Sequence, residues 1–228
     1  MGGSGSSASG RFLQEATPAA RYSPEIAPPL FVSFEGVDGA GKTTQARLYA
    51  AWLRQRGLEV VELREPGGTA AGERIRTLVL ETDCAIGARS EALLFAAARA
   101  QAVDEIVNPA LARGAHVVAD RFVDSSLVYQ GAVRGLGVDA VRAINDFALG
   151  GLMPDRTVLL ELPAREAKER REGQPDDRIE SEALGFHELV AQGYLDLLAA
   201  EPARIVRVAA EGDSEDIARR VREAIGGA

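Results

Sequence analysis

The chain has 228 residues, 46% hydrophobic and 26% charged, and carries a net charge of −8. That describes one large globular domain with ample material for a core. The acidic balance argues against a general nucleic-acid binder and does not favour an anionic membrane surface, and no apolar stretch approaches the ~18 residues that a bilayer span needs.

Residues 1–29 stand apart: Gly, Ser and Ala at first, then Pro18, Pro24, Pro28 and Pro29 without periodicity. They read as a disordered tail or linker. Gly2 with Ser6 fits a loose myristoylation pattern, but so Gly/Ser-rich a segment matches it easily, and the tail reads as inert.

The organising stretch comes next. An apolar run at residues 30–34 predicts a buried strand, which breaks into Gly36, four residues, Gly41, Lys42 and Thr43; a helix over 43–56 follows, with Leu48, Trp52 and Leu53 on one face. Between a strand and a helix, this G-x-x-x-x-G-K-T spacing is a strong signal for a loop that grips nucleotide phosphates. Its backbone N–H groups turn inward around an anion, the helix presents its positive end, Lys42 supplies a mobile cation and the Thr43 hydroxyl can ligate Mg²⁺.

Further along, a strand is expected over 59–63, the turn REPGGT at 64–69, a helix around 71–81, and a long helix from about 89 to 112 that Pro109 kinks or restarts. A buried strand over 116–119 ends at Asp120 and Arg121. Helices near 124–131 and 138–149 precede a strand over 157–162, another helix, a charged loop at 171–180, a helix over 181–199, a strand over 204–208 and a last helix from Ser214. Five apolar strands separated by helices predict a parallel sheet covered on both faces, with ligands at the strands' carboxyl ends. Cys84 is the one cysteine, so no intrachain disulfide is possible and a reducing compartment suits the chain; with His116 and His187 it forms no ligand cluster, so no structural zinc is expected.

Four groups of residues carry candidate chemistry. Asp120 at a strand end can hold the Mg²⁺ shell beside Thr43, with Arg121 clamping a second phosphate; a strand-end ion pair is the plain alternative. The turn at 64–69 is rigid, and Arg64 points a fixed fork into the same cleft, unless it is only a turn. Phe95 and Arg99, four apart on one helix face, suit stacking and edge recognition of a base, although a core Phe beside a snorkelling Arg is the commoner arrangement. Lys168, Arg170, Arg171 and Arg178 surround a polar loop that can close over transferred phosphate or be a solvated charged loop.

Together the segments FEGVDGAGKTT at 34–44, REPGGT at 64–69, FAAARAQ at 95–101, DRFVDSSLVYQG at 120–131 and DRIE at 177–180 resemble the thymidylate kinases, of the bacterial type. The resemblance covers about residues 30–226. It implies a P-loop NTPase three-layer α/β sandwich over residues 30–228, with a five-stranded parallel sheet and a short lid at about 168–180. The reaction implied is phosphorylation of dTMP to dTDP with ATP and Mg²⁺, in the cytoplasm, by a homodimer packing helices beside the sheet, the long helix with Leu93 and Leu94 among them, and without nucleic-acid or membrane partners. ATP would lie on Gly36, Val37, Asp38, Gly39, Ala40, Gly41, Lys42, Thr43 and Thr44, and Mg²⁺ on Thr43 and Asp120.

For dTMP, Phe95 would stack on thymine and Arg99 bond its carbonyl edge, while Arg64 and Arg121 hold the phosphate. Asp38 would lie near the acceptor sugar, Tyr129 and Gln130 would line the deoxyribose and base pocket, Ser126 would sit with the substrate, and Pro66 would be cis. Three departures stand out. Phe122 follows the Asp–Arg pair where many relatives have a polar ring, Ser125 and Ser126 replace an Asn, and the phosphate loop lacks a basic residue at its variable positions. The last makes Arg170 and Arg171 the catalytic lid candidates. A deoxynucleoside kinase using Glu65 as a base is the nearest rival, disfavoured by the two phosphate-holding arginines. A GTP-binding switch is a second, disfavoured because Asn-Lys-x-Asp is absent.

Overall fold

The structure, a computed structural model, describes residues 28–80, 85–173, 175 and 177–226. The expectations for the tail before residue 28, for Cys84 and for the last residue of the helix ending at 81 lie outside the described residues.

Five strands, β1 (Phe31–Glu35), β2 (Val60–Arg64), β3 (His116–Asp120), β4 (Arg156–Glu161) and β5 (Ile205–Ala209), form one parallel sheet in the order β2-β3-β1-β4-β5. The central strands β1 and β3 are buried at every position, whereas the edge strands β2 and β5 mix buried and exposed residues. This is how a parallel sheet covered on both faces reads in sequence. Helices α1 (Lys42–Gln55) and α9 (Ser214–Ile225) pack together against the sheet, and α8 (Leu184–Ala200) packs on β4 and β5. Between these lie α2 (Ala70–Leu80), α3 (Ala88–Ala102), α4 (Asn108–Ala112), α5 (Val123–Ser126), α6 (Val138–Leu149) and α7 (Ala164–Glu169). The α/β sandwich matches the expectation.

Several details differ. The buried stripe of α1 runs through Ala46, Tyr49, Ala50 and Leu53, leaving Leu48 and Trp52 at its margin. The long helix expected over 89–112 is α3 and α4 joined by a wider π turn, Val103–Val107. Pro109 explains it: with no N–H and a ring that clashes with the carbonyl four residues back, it forces the helix to open just ahead of it and sits in the first turn of α4. The helix expected over 124–131 is likewise α5 continued by a second π segment, Leu127–Val133, which carries Tyr129 and Gln130. Such wide turns shift which side chains point inward, and they recur at functional sites.

One buried polar junction fixes α5 beneath the site. Arg204, at the start of β5, gives both terminal nitrogens to Asp124 at 2.7 Å, and Thr157 of β4 donates to the same carboxylate at 2.7 Å. Asp124 is wholly buried, and removing it takes both charge-assisted bonds from a largely buried guanidinium, leaving it only Glu201 and Thr157. Asp124→Ala therefore costs about 3 kcal/mol of stability, read by urea unfolding. Replacing Asp124 and Arg204 together by apolar residues of similar size costs less than the single change.

Candidate active site

The parallel sheet brings the carboxyl ends of β1, β2 and β3 to one edge. Asp120, last in β3, pairs in register with Phe34 on one side and Arg64 on the other. The phosphate loop, the turn after β2 and the Asp–Arg pair therefore converge on one cleft of about 410 Å³.

The phosphate loop is shaped by close backbone approaches. A Cβ at Gly36 would lie 2.5 Å from the Leu160 carbonyl oxygen and one at Gly39 2.0 Å from that of Ala167, and both residues have positive φ. Only glycine fits. Val37 and Ala40 are buried beneath the loop. Gly41 caps α1 in a left-handed conformation with no side-chain hydrogen bond, so the helix's first amides remain for an anion. Lys42 donates to the Val37 carbonyl at 2.8 Å and to Asp38 at 3.4 Å. Thr43 donates to Asp120 Oδ2 at 2.5 Å.

Arg121 is the centre of the second cluster. Its φ of 68° is the one positive value at a non-glycine among the described residues. That conformation turns the side chain back under the phosphate loop, where Nη2 bonds Asp38 Oδ1 and reaches Tyr129 Oη at 3.4 Å. Nη1 lies 3.0 Å from Ser125 Oγ and 3.3 Å from Tyr194 Oη. Below these, Glu35 accepts from Phe122 N at 2.7 Å, Ser125 Oγ at 2.6 Å and Tyr194 Oη at 2.8 Å. Burial works against the charge on Asp38, but Arg121 and then Lys42 hold its carboxyl well below the usual range. Burial also opposes Arg121's charge, and Asp38 leads the neighbours that keep its pKa high. For Glu35 burial wins, with Asp124 adding to it, and its pKa is raised.

Most of the expected site residues line this cleft. Asp38, Gly39, Gly41, Lys42, Thr43 and Thr44 come from the loop and α1, and Arg64, Asp120 and Arg121 from strand ends. Phe95, Ser126, Tyr129 and Gln130 form another wall, and Arg170 and Arg171 lie on the far side. Arg170 donates to the Ala210 carbonyl at 2.9 Å, and Arg171 pairs with Glu180 at 2.7 Å. Glu65 to Pro66 is a cis peptide bond. Gly36, Val37 and Ala40 shape the loop without lining the cleft.

Arg99 is placed differently from the expected edge reader. It is 2% exposed, does not line the cleft, and donates Nε to Glu65 at 2.7 Å, Nη1 to Ser126 at 3.1 Å and Asn145 at 2.5 Å, and Nη2 to the Phe122 carbonyl at 3.2 Å. Four of its five N–H donors are thus committed to the wall behind Glu65 and Ser126. The i, i+4 spacing from Phe95 gave the face correctly, but α5 and α6 close over it.

Sequence reading missed Arg76, which lines the cleft beside Arg64 and donates to the Pro66 carbonyl at 3.0 Å. Burial lowers its pKa, with Arg64 adding to the effect. Its signal was a third arginine one helix turn or two beyond REPGGT. Tyr194 and Glu35 were also missed: a Tyr on α8 carries no motif, and Glu35, although it stands in FEGVDGAGKTT, is not one of the residues that grip phosphate there.

Glu65 is the cleft's unusual carboxyl. Oε2 is held by Arg99, Oε1 is buried without a partner, and burial pushes its pKa from 4.5 up to about 7 against the pull of Arg99. Because the folded value lies above the unfolded one, this group's stability contribution is full below about pH 4.5 and is lost as pH rises through about 7. Glu65→Gln should flatten that part of the Tm-against-pH curve, measured by calorimetry; an unchanged slope would show that Glu65 titrates alike in both states.

Comparison with known proteins places these features. A family model described as thymidylate kinase matches residues 34–221. The thymidylate kinase of Caldanaerobacter subterraneus subsp. tengcongensis is 46% identical over 178 residues, covering 78% of this chain and 86% of the relative. That of Desulforudis audaxviator is 49% identical over 187 residues, covering 81% and 85%. A crystal structure of thymidylate kinase from Ehrlichia chaffeensis superposes with a TM-score of 0.71 at 29% identity, covering 87% of this chain and 99% of that one. The phosphate loop, the arginine-lined cleft and these similarities have one conclusion: the chain belongs to the thymidylate kinase family.

Proposed function

We propose that this chain catalyses ATP + dTMP → ADP + dTDP within a homodimer in the cytoplasm, where its nucleotide substrates are found. The observation that carries the reading is one cleft that gathers the phosphate loop, the guanidinium groups of Arg64, Arg76 and Arg121, and the rings of Phe95 and Tyr129. A monophosphate acceptor has its second pKa near about 6, so near neutral pH it is already mostly a dianion and needs no strong general base. What it needs is two polyanions held in line and their repulsion relieved. Lys42 and the N-terminus of α1 would hold the donor phosphates, Arg64 and Arg121 the acceptor phosphate, and Arg170 and Arg171 would neutralise charge on the transferred group. Phe95 would stack on thymine, Asp38 would meet the sugar, and Tyr129 would crowd its 2′ position. Arg99 would support this wall from behind, holding Glu65 and Ser126 in place.

The contact between Thr43 Oγ1 and Asp120 Oδ2 joins two hard oxygen donors beside the loop. That pair suits Mg²⁺, which is commonly held by one or two protein oxygens plus substrate phosphates. When bound there the ion would neutralise phosphate charge. The described residues contain no group of three or more His, Cys, Asp or Glu poised to hold a metal ion. Among the described residues no helix is long and apolar enough to cross a membrane.

For the homodimer, α2, α3 and α6 pack side by side and expose Leu78, Leu93 and Phe147, the last at 93%. An apolar face of this kind is suited to a second copy. Phe147→Asp should shift the mass in sedimentation from dimer to monomer; a wild-type chain already monomeric at micromolar concentration would sink that assignment.

The activity is tested by coupled ADP release with ATP, Mg²⁺ and each of dTMP, dUMP, dCMP, dGMP, UMP and thymidine. Turnover mainly with dTMP is expected, and turnover with thymidine but not dTMP would overturn the reading and return Glu65 to the role of base. Lys42→Ala should lower kcat by about 10²-fold or more. Phe95→Ala should raise KM for dTMP by about tenfold, the worth of one stacking contact.

A further inference from the structure

Glu91, in the first turn of α3, takes no part in the chemistry above, yet it is 1% exposed and surrounded by donors. Gln130 Nε2 donates to its Oε1 at 2.9 Å, with Arg134 Nε 3.6 Å from the same oxygen. Arg178 Nη2 donates to Oε2, and Arg178 Nε is itself anchored on the Val79 carbonyl at 2.8 Å. A guanidinium can only donate, so both oxygens of Glu91 act as acceptors. The end of Gln130 that meets Glu91 must therefore be its NH₂. Gln130 lines the cleft, and with its NH₂ turned to Glu91 it presents its carbonyl oxygen as the acceptor for a ligand, the second N–H beside it. Without such a partner a primary amide turns over freely and offers either a donor or an acceptor.

We infer that Glu91 is a positioning residue for pyrimidine specificity: it pins Gln130 with its carbonyl oxygen toward the base, where that oxygen accepts from the ring N–H of thymine. Cytosine presents a bare ring nitrogen at the same place, so an acceptor meets an acceptor and dCMP is rejected. A site built around one hydrogen-bond polarity discriminates strongly because the wrong partner leaves buried groups unpaired. The inference rests on the reading of the cleft as the dTMP site. It also ties Arg178, in the segment that follows α7, to the base pocket through a single carboxylate.

The test is steady-state kinetics with dTMP, dUMP and dCMP on Glu91→Gln, on Gln130→Leu, and on the double variant Glu91→Gln with Gln130→Glu, each checked for folding by its thermal transition. In Glu91→Gln the Gln130 amide is free to turn, and the ratio of kcat/KM for dTMP over dCMP should fall by about tenfold or more. The fall should arise through KM, with kcat little changed, and dUMP, which keeps the ring N–H, should lose in parallel with dTMP. In the double variant the new amide at position 91 donates to the new carboxylate at position 130, whose second oxygen again faces the base as an acceptor. Most of the dTMP preference should return. A folded Glu91→Gln enzyme with its full dTMP preference overturns the inference. If that variant does not fold, a folded double variant that has lost the preference overturns it, and one that retains it supports it. A Gln130→Leu enzyme with unaltered KM for dTMP would overturn the cleft reading along with the inference; a Gln130→Leu defect without a Glu91→Gln defect overturns the inference alone.

Discussion

The structure depends on the pairing of one largely buried guanidinium at the cleft floor, that of Arg121. A cation in that position demands acceptors on every side, since leaving it partly unpaired costs several kcal/mol. The acceptors come from the phosphate loop through Asp38, from α5 through Ser125, from the π segment through Tyr129 and from α8 through Tyr194. Satisfying one residue thus locks the phosphate loop and α8, far apart in the chain, to the α5 and π stretch that follows Arg121. The positive φ of Arg121 is the local cost, about 1–3 kcal/mol of strain where the structure over-determines a conformation. It aims the side chain at the loop instead of out along the strand.

Around that cation the molecule resolves an electrostatic conflict. The chain is acidic overall, yet its cleft collects Lys42, Arg64, Arg76, Arg121, Arg170 and Arg171. Parallel strands make this possible because all their carboxyl ends share one edge, so one basic residue per loop is enough to build a local positive field. Such a field holds polyanions in the cleft without making the whole surface attractive to nucleic acid.

Beneath the basic layer lies a layer of buried carboxyls, and each orients a donor above it. Glu35 takes the hydroxyl protons of Ser125 and Tyr194, so their lone pairs face Arg121. Glu65 holds Arg99, and Glu91 holds Gln130 and Arg178. A side chain with several rotors keeps a productive geometry only when a second group fixes it, and buried carboxyls do this at the expense of their own solvation. Glu65, with one oxygen unpartnered and its pKa raised, carries that expense most visibly.

The sequence by itself determined the strands, their parallel sheet, the phosphate loop and most of the expected residues that line the cleft. These follow from local rules: apolar runs of strand length, glycines where the backbone meets another backbone, and charged residues at strand ends. Only the tertiary structure decided which arginine faces the cleft and which lies behind it. Arg99, marked in sequence by Phe95, and Arg76, unmarked, are both helical arginines; the first is closed over by α5 and α6, while the second opens beside Arg64. The wide turns at Val103–Val107 and Leu127–Val133 likewise escaped the helical period, and the second of them places Tyr129 and Gln130. The orienting carboxyls were illegible for the same reason. A hydrogen bond between Glu91 and Gln130 joins residues 39 apart, and no periodicity or motif records contacts that exist only once distant segments have packed.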